Sequence, residues 1–322
     1  MPKVAVTDYS FEALDVETAI LQPLGCELVA IKEKKTAPEL IPLVSDADCV
    51  ITQFAPVNAE VISAMQKAKV IVRYGIGVDN VNLAAARERG IPVCNVPDYC
   101  IDEVADQTLA FVLSATRQLQ PNSLTVRSGA WKLAVPLTGM KTLKDLTVGL
   151  VGCGRIGREV VRRLLAFKCR VLIYDPMLKG EVIRELGASP VSLEELLTTS
   201  DVISLHCPST DSTRKMINGD TISKMKPGVI IINVARGDLI ETEALIGALR
   251  SGHVSSAGLD VFDPEPIPKD SPLLTMDNVV VAAHIASASV LAVRKLRETV
   301  AGIVGMAIRG EKLPNIVNGV DA

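Results

Sequence analysis

Residues 147–175, TVGLVGCGRIGREVVRRLLAFKCRVLIYD, decide the fold of this chain. The stretch opens with an apolar run, Val148–Val151, and continues into the G-x-G-x-x-G turn of Gly152–Gly157. A segment with apolar residues at helical intervals follows, and a second apolar run ends in Asp175. The pattern predicts a strand, a tight turn, a helix and a second strand, closed by an acidic residue about 20 residues after the glycines.

Each part of this unit suits the binding of a dinucleotide. Gly152 permits the tight turn, Gly154 lets the backbone approach a pyrophosphate, and Gly157 lets the helix pack close to the strand. The first turn of the helix offers unpaired N–H groups and the positive end of its dipole. The carboxylate of Asp175 suits two ribose hydroxyls and repels a 2′-phosphate, so the predicted cofactor is NAD rather than NADP. The alternative is a glycine-rich turn that binds nothing.

The composition narrows the classes of function. A chain of 322 residues is long enough for two domains, and its formal charge of −3 argues against nucleic acid or an anionic membrane as the main partner. The longest apolar runs, such as Val279–Ala283, are too short to span a bilayer, and the N-terminus shows no signal-peptide pattern. Seven scattered cysteines without a C-x-x-C pair indicate reduced thiols in a cytoplasmic protein and no metal site.

Strand-like and helix-like segments alternate along the chain, which predicts an α/β protein with mostly parallel sheets. One series fills the first hundred residues, a long amphipathic helix is predicted over 102–119, and the glycine unit begins a second series. Residues 128–143 are predicted as irregular and contain Trp131, which we expect at a contact between subunits or domains. A last helix over 290–309 is expected to pack back on the first of two αβα domains, with a cleft between them.

Three late strands each lead to a polar side chain, namely Arg236, Glu265 and His284. Because ligands bind at the carboxyl ends of parallel strands, we expect these side chains to converge where the nicotinamide lies. A histidine can exchange a proton near neutral pH, a carboxylate favours its charged form, and a guanidinium can hold a substrate carboxylate. These types suit hydride transfer to a keto acid. Taken alone, Arg236 could instead cap a helix, and Glu265 could be a solvated loop residue.

The positions of the other two histidines are less suited to catalysis. His253 lies in a turn after a helix and is predicted at the surface, while His206 ends a strand and is predicted to line the adenosine end of the cofactor or to cap the strand. Asp260 is predicted to bind the nicotinamide carboxamide, with loop stabilisation as the alternative.

The sequence RYGIGVDN, Arg73–Asn80, follows a predicted strand in the first series. The backbone N–H groups at Gly75 and Gly77 could grip a carboxylate, with Arg73 adding positive charge. A plain glycine turn is the alternative.

These residues together resemble the D-isomer-specific 2-hydroxyacid dehydrogenases over nearly the whole chain. The matching segments are RYGIGVDNV, GIPVCNVPDYCIDEVADQTLAFVLSATRQL, GLVGCGRIGREV, YDP, SLHCP, MKPGVIIINVARGDLIETEAL, GLDVFDPEP and HIAS. The resemblance implies a flavodoxin-like substrate domain, formed by residues 1–100 and 290–322, into which a Rossmann NAD-binding domain of residues 101–289 is inserted. It further implies a homodimer, with the helix near 102–119 and the segment after it at the contact.

The resemblance also implies a role for each matched position. Arg236 would bind the carboxylate and keto groups of a small 2-keto or 2-hydroxy acid, His284 would act as acid and base, and Glu265 would pair with it. The predicted cofactor contacts beyond the three glycines are Arg155, Ile156, Asp175, His206, Cys207, Pro208, Ala235, Asp260 and Ala286. The predicted substrate contacts beyond Arg236 are Arg73, Gly75, Ile76 and Gly77.

The chain departs from the family pattern at several positions. Two alanines precede His284 where the family usually has Thr-Pro, and Ser287 stands where the branch of the C-terminal-binding corepressors often has tryptophan. A glutamate at 265, where formate dehydrogenases carry glutamine, argues against formate, and the end at Ala322 predicts that no regulatory domain follows.

We therefore expect an NAD-dependent dehydrogenase that interconverts a small 2-keto acid and its D-2-hydroxy acid. An NAD-sensing scaffold of the corepressor-like branch is the alternative, although the intact Arg236, Glu265 and His284 argue against it. A structural protein without cofactor is a third possibility. The sequence does not identify the substrate.

Overall fold

The computed structural model describes residues 1–321. Two compact units form the chain, one from Met1 to Tyr99 together with the residues from Ser289 onward, and one from Cys100 to Ala288. One residue separates these limits from the predicted domain limits, and the roles predicted for the two units stay predictions.

A five-stranded parallel sheet organises the first unit. Its strands are β1 (Lys3–Val6), β2 (Glu27–Ala30), β3 (Cys49–Thr52), β4 (Val70–Arg73) and β5 (Val93–Cys94), in the order β2-β1-β3-β4-β5. The connecting helices are α1 (Asp15–Leu21), α2 (Ala37–Val44), α3 (Ala59–Ala64) and α4 (Leu83–Glu88). This strand order is the flavodoxin-like one.

Both faces of this sheet are buried, which explains its unbroken apolar strands. On β4, Val70 and Val72 pack in the core cluster on one face, and Ile71 packs in the cluster on the other face. Because successive side chains of a strand point to opposite faces, one apolar run can fill both cores.

A seven-stranded parallel sheet organises the second unit. Its helices are α5 (Ile101–Thr116), α6 (Leu119–Arg127), α7 (Arg155–Ala166), α8 (Gly180–Glu185), α9 (Leu193–Thr199), α10 (Gly219–Ser223) and α11 (Thr242–Ser251). Its strands are β6 (Thr147–Val151), β7 (Arg170–Tyr174), β8 (Ser189–Pro190), β9 (Val202–Leu205), β10 (Val229–Asn233), β11 (Val254–Leu259) and β12 (Val279–Val281). The order is β12-β11-β10-β9-β6-β7-β8, so the direction of winding reverses between β6 and β9. This Rossmann-type reversal creates the crevice at which such sheets bind dinucleotides.

The helix predicted over 102–119 is shorter than expected. It ends at Thr116 because Gln118 adopts a left-handed conformation with φ of 50°, and a second helix, α6, begins at the next residue. The Gln118 side chain donates a hydrogen bond to the Ala115 carbonyl at 2.8 Å, which satisfies a carbonyl at the helix end. In the segment after α6, the side chain of Trp131 is 93% exposed.

The last helix, α12 (Val290–Arg309), belongs to the first unit and packs against α1, β3 and β4. It begins at the N-cap Ser289, whose hydroxyl accepts a hydrogen bond from the Ala292 amide, and it ends at Gly310 with φ of 71°. Among residues 1–321, none of the helices combines the length and the apolarity that a membrane span requires.

Candidate active site

The glycine turn after β6 is shaped by close backbone contacts at the point of strand reversal. Gly152 has a φ of 93°, and a Cβ there would lie 2.8 Å from the carbonyl carbon of His206 and the amide nitrogen of Cys207, just after β9. A Cβ at Gly157 would lie 2.6 Å from the Gly152 carbonyl oxygen, whereas a Cβ at Gly154 would meet no atom within 4 Å. Gly152 and Gly157 therefore allow tight packing, and Gly154 leaves open space beside the turn.

This open space lies at the N-terminus of α7, where Arg155 is the first helical residue and Gly154 is the N-cap. Within residues 1–321 no side chain caps this end, so the first N–H groups keep their capacity for a phosphate oxygen. Ile156, the next predicted contact, lies in the same turn.

Asp175 follows β7 and is held over the glycine turn. Its carboxylate accepts hydrogen bonds from the Cys153 amide at 2.7 Å and the Met177 amide at 2.9 Å. These two bonds fix its orientation and leave further lone pairs for the hydroxyls of a ribose. The turn, the helix end and this carboxylate together fit a dinucleotide without a 2′-phosphate.

His206 directly follows β9 and lies beside the glycine turn, with Cys207 and Pro208 after it. Its Nε2 lies 2.8 Å from the Ser204 hydroxyl, and its Nδ1 is buried without a hydrogen-bond partner among residues 1–321. Burial lowers the pKa of His206 to about 4, so the ring is neutral at neutral pH and is poorly suited to donate a proton. Its Nδ1 is a polar atom that a ligand at this edge of the sheet can satisfy.

The loop after β10 carries Arg236 and is organised by a residue that the sequence reasoning missed. Asn233 is 1% exposed; its side chain accepts a hydrogen bond from the Ala235 amide at 3.1 Å and donates one to the Arg236 carbonyl at 2.8 Å. The Arg236 guanidinium in turn donates to the Ala235 carbonyl at 2.7 Å. The only signal in the sequence was a polar residue ending an otherwise apolar strand, VIIIN.

At Gly237 this loop packs against the loop that carries Glu265. A Cβ at Gly237 would lie 1.9 Å from the carbonyl carbon of Phe262, so only glycine allows the two backbones to pack this closely. This contact brings the loop that carries Arg236 against the loop that carries Glu265.

Glu265 and His284 form a hydrogen-bonded pair. The Nδ1 of His284 lies 2.9 Å from one carboxylate oxygen of Glu265, and the other oxygen accepts a hydrogen bond from the Phe262 amide at 2.9 Å. Burial acts to raise the pKa of Glu265, but the hydrogen bond with His284 and the charges of His284 and Arg236 outweigh it and lower this pKa. The carboxylate therefore stays ionised and orients the ring through Nδ1.

The backbone of His284 is left-handed, with φ of 54°, and Asp260 holds it there. The His284 amide donates to the Asp260 carbonyl at 2.8 Å, and the two carboxylate oxygens of Asp260 each accept one amide, from Ile285 and Ala286, at 2.9 Å. Asp260 is fully buried, and burial raises the pKa of its carboxyl. The loop-stabilising role that the sequence left open is therefore present, and contacts of Asp260 and Ala286 with the cofactor stay predictions.

The RYGIG loop lies in the first unit, directly after β4. A Cβ at Gly75, where φ is 144°, would lie 1.4 Å from an Nη of Arg73, so glycine makes room for the guanidinium. Arg73 is 7% exposed and lies over the Phe54 ring at 5.6 Å. Asn95, which the sequence reasoning also missed, donates a hydrogen bond to the Ile76 carbonyl at 2.6 Å.

One sequence prediction needs correction. His253, predicted at the surface, is half-buried, and its Nε2 lies 2.8 Å from the Ile222 carbonyl near the end of α10. This carbonyl also accepts a hydrogen bond from the Met225 amide at 3.0 Å, so the ring is a further partner at the helix end.

Residues 109–286 match the family model described as D-isomer specific 2-hydroxyacid dehydrogenase, NAD binding domain. A glyoxylate reductase of Korarchaeum cryptofilum is 39% identical over 283 residues, which cover 87% of this chain and 85% of that protein. A D-3-phosphoglycerate dehydrogenase of Mycobacterium leprae is 40% identical over 281 residues, 87% of this chain but 53% of that protein. The chain thus spans about half the length of this second relative.

A solved structure of D-lactate dehydrogenase from Aquifex aeolicus, in complex with NAD and lactic acid, has a TM-score of 0.86 and 31% identity, covering 96% of each chain. These relatives are named as enzymes, so the scaffold alternative finds no support among them. The matched domain binds NAD, and the glycine turn with Asp175 fits this cofactor. The chain belongs to the D-isomer-specific 2-hydroxyacid dehydrogenase family and is an NAD-dependent dehydrogenase.

Proposed function

We propose that this dehydrogenase interconverts a small 2-keto acid and its D-2-hydroxy acid, with His284 as the acid and base, Glu265 as its partner and Arg236 as the substrate anchor. The observation that carries the proposal is the 2.9 Å contact between His284 Nδ1 and Glu265, in a corner where the charge of Arg236 also acts on that carboxylate. Such an arrangement serves proton transfer next to a bound anion.

The residues of this corner have complementary tasks in the reduction. When bound, NADH supplies the hydride to the carbonyl carbon. His284 gives the proton from Nε2 to the carbonyl oxygen as the C–H bond forms, and the ionised Glu265 stabilises the charged ring before this transfer. Arg236 holds the substrate carboxylate in two-pronged geometry and polarises the carbonyl. In the oxidation the same groups act in reverse, so His284 accepts the hydroxyl proton.

We further assign substrate contacts to Arg73, Gly75, Ile76 and Gly77. Arg73 offers a buried positive charge that packs against Gly75, where a Cβ would collide with the guanidinium. A carboxylate or a phosphate suits this loop, so the candidates are glyoxylate, hydroxypyruvate, pyruvate and phosphohydroxypyruvate.

We also propose a homodimer in the cytoplasm. Within its own unit, the segment from α6 to residue 137 exposes six large apolar side chains, which a second copy could cover: Leu119, Leu124, Val126, Trp131, Leu133 and Leu137. All seven cysteines are free thiols, which suits a reducing compartment. Sedimentation equilibrium of the purified chain tests the dimer, and a monomer at micromolar concentration would contradict it.

Activity on a panel of substrates tests the proposal. NADH oxidation is followed with the four candidate keto acids, and NAD reduction is followed with D- and L-lactate as an enantiomeric pair. We expect turnover with at least one keto acid and, where lactate is oxidised, a preference for the D-enantiomer. Tight NADH binding without turnover of any 2-keto acid would refute the proposal.

A further inference from the structure

A buried charged cluster lies under the RYGIG loop in the first unit. It consists of Glu17 on α1, Tyr74 just after β4 and Arg297 on α12, with exposed fractions of 0%, 1% and 9%. Few proteins bury a carboxylate this completely in an otherwise apolar core unless it is paired. Neither the glycine turn nor the proposed acid–base pair accounts for it.

Both Tyr74 and Arg297 donate hydrogen bonds to the Glu17 carboxylate. The Tyr74 hydroxyl donates to one carboxylate oxygen at 2.9 Å. The Arg297 Nε lies 3.0 Å from the same oxygen and 3.2 Å from the other, which also accepts from Nη2 at 2.6 Å. Burial raises the pKa of the Tyr74 hydroxyl, so it stays protonated and remains a donor.

The surroundings fix the same three groups from outside. Arg297 Nη2 also donates to the Ala13 carbonyl at 2.7 Å and to Asp15 at 2.8 Å. The ring of Phe11 lies 4.9 Å from the Arg297 guanidinium and meets the Tyr74 ring edge-on at 5.2 Å. These contacts hold the Tyr74 ring from a second side.

Stability alone is a weak explanation for this cluster. Buried ion pairs can often be replaced by apolar residues of similar volume at no cost, because desolvation offsets their attraction. What an ion pair adds is direction, since each hydrogen bond demands a defined geometry.

Tyr74 stands between Arg73 and Gly75 in the chain, so its position sets that of the loop. Its amide donates to the Thr52 carbonyl at 2.8 Å, and the Gly75 carbonyl accepts from the Val96 amide at 3.0 Å. Tyr74 packs in the core formed with α1 and α12, whereas Arg73 lies over Phe54. The backbone of residues 73–75 is therefore held by contacts on both sides.

We propose that the cluster of Tyr74, Glu17 and Arg297 is a positioning device for the substrate loop, with Tyr74 holding Arg73 and Gly75 in the geometry that binds the substrate anion. The inference rests on the substrate role proposed for that loop. Tyr74 is a positioning residue, because it acts through its two neighbours.

Tyr74→Phe tests this inference, because it removes one hydroxyl and keeps the ring and the Glu17–Arg297 pair. Val300→Ala is the matched control, since Val300 is fully buried on α12 in the same core and lies outside the cluster. For Tyr74→Phe we expect KM for the keto acid to rise about tenfold, as the loss of a hydrogen bond to a charged group predicts, with little change in kcat. Affinity for NADH should stay the same, and Val300→Ala should lower thermal stability without changing KM.

Hydrogen exchange of the amides at residues 75–78 provides a readout that needs no activity. We expect faster exchange there in Tyr74→Phe than in the wild type or in Val300→Ala, with the exchange of α12 unchanged. An active Tyr74→Phe with wild-type KM would overturn the inference. If the wild type turns over no keto acid, the proposed function fails, and exchange alone then decides: unchanged exchange at 75–78 would overturn the positioning role too.

Discussion

Replacing Asp260 by asparagine should reduce catalysis by releasing the backbone of His284. Asp260→Asn keeps the size of the side chain and one acceptor oxygen. The other oxygen becomes an NH₂ group that faces a backbone N–H, because Ile285 and Ala286 each donate to one carboxylate oxygen at 2.9 Å. One charge-assisted hydrogen bond is lost, and a buried donor is left without an acceptor.

The magnitude follows from the balance between these bonds and the strain of His284. A hydrogen bond to a charged group contributes about 1.5–3 kcal/mol, and two such bonds exceed the roughly 1–2 kcal/mol that a left-handed residue other than glycine costs. After the substitution one neutral bond of about 0.5–1.5 kcal/mol remains, which no longer exceeds this strain. We expect the free energy of unfolding to fall by about 2–3 kcal/mol, and kcat to fall about 10²-fold, as a misplacement of roughly 1 Å would produce.

The assay compares kcat, the affinity for NADH and the unfolding midpoint in Asp260→Asn and a control. Asp201→Asn is a matched control, because Asp201 also accepts a backbone amide, from Thr147 at 2.8 Å, but it lies at the amino ends of β6 and β9. Both variants should lose stability, and only Asp260→Asn should lose kcat. A folded Asp260→Asn with wild-type kcat would refute the reasoning, and a kcat loss explained wholly by weaker NADH binding would favour the direct cofactor contact instead.

Three other changes have defined outcomes. Asp175→Asn should lower the preference for NADH over NADPH by about tenfold or more in paired KM measurements, because a like-charge repulsion is removed; an unchanged preference would argue against this cofactor role. His206→Gln should flatten the pH dependence of the unfolding free energy. The pKa of His206 falls from 6.5 to about 4 on folding, so the unfolded chain binds more protons between these two pH values. The free energy of unfolding of the wild type therefore falls by about 1.4 kcal/mol per pH unit as the pH is lowered through this window. Equal slopes in the two proteins would contradict the burial of this ring. Gly237→Ala, with a Cβ 1.9 Å from Phe262, should cost about 3 kcal/mol or more in chemical denaturation and should abolish turnover. The control Gly247→Ala, which meets no atom within 4 Å on α11, should be neutral or stabilising by up to about 1 kcal/mol, and equal effects of the two alanines would count against the loop contact.

Local patterns in the sequence predicted most of the fold. The strand, glycine turn and helix around Gly152 were predictable because short apolar runs and glycine spacing follow directly from backbone geometry. The break at Gln118 was not, because glutamine has no strong preference for a left-handed conformation and the break depends on a side-chain bond to Ala115.

Long-range contacts set the part of the site that the sequence could not show. The types and strand-end positions of Glu265 and His284 suggested a pair, but the packing of Gly237 against Phe262 depends on two loops that are distant in sequence. The cluster of Glu17 and Arg297 joins residues 280 positions apart and follows no local periodicity. One chain without aligned relatives contains no signal for such a contact.

Single-turnover measurements on His284→Ala bear on the proposed proton transfer with the fewest assumptions. Enzyme loaded with NADH is mixed with a saturating keto acid, and the rate of NADH oxidation is compared with that of the wild type and of His253→Ala, a histidine change outside the site. We expect NADH affinity to be preserved in both variants, and the rate to fall about 10²–10⁴-fold only in His284→Ala. A His284→Ala enzyme that oxidises NADH at the wild-type rate would contradict the account.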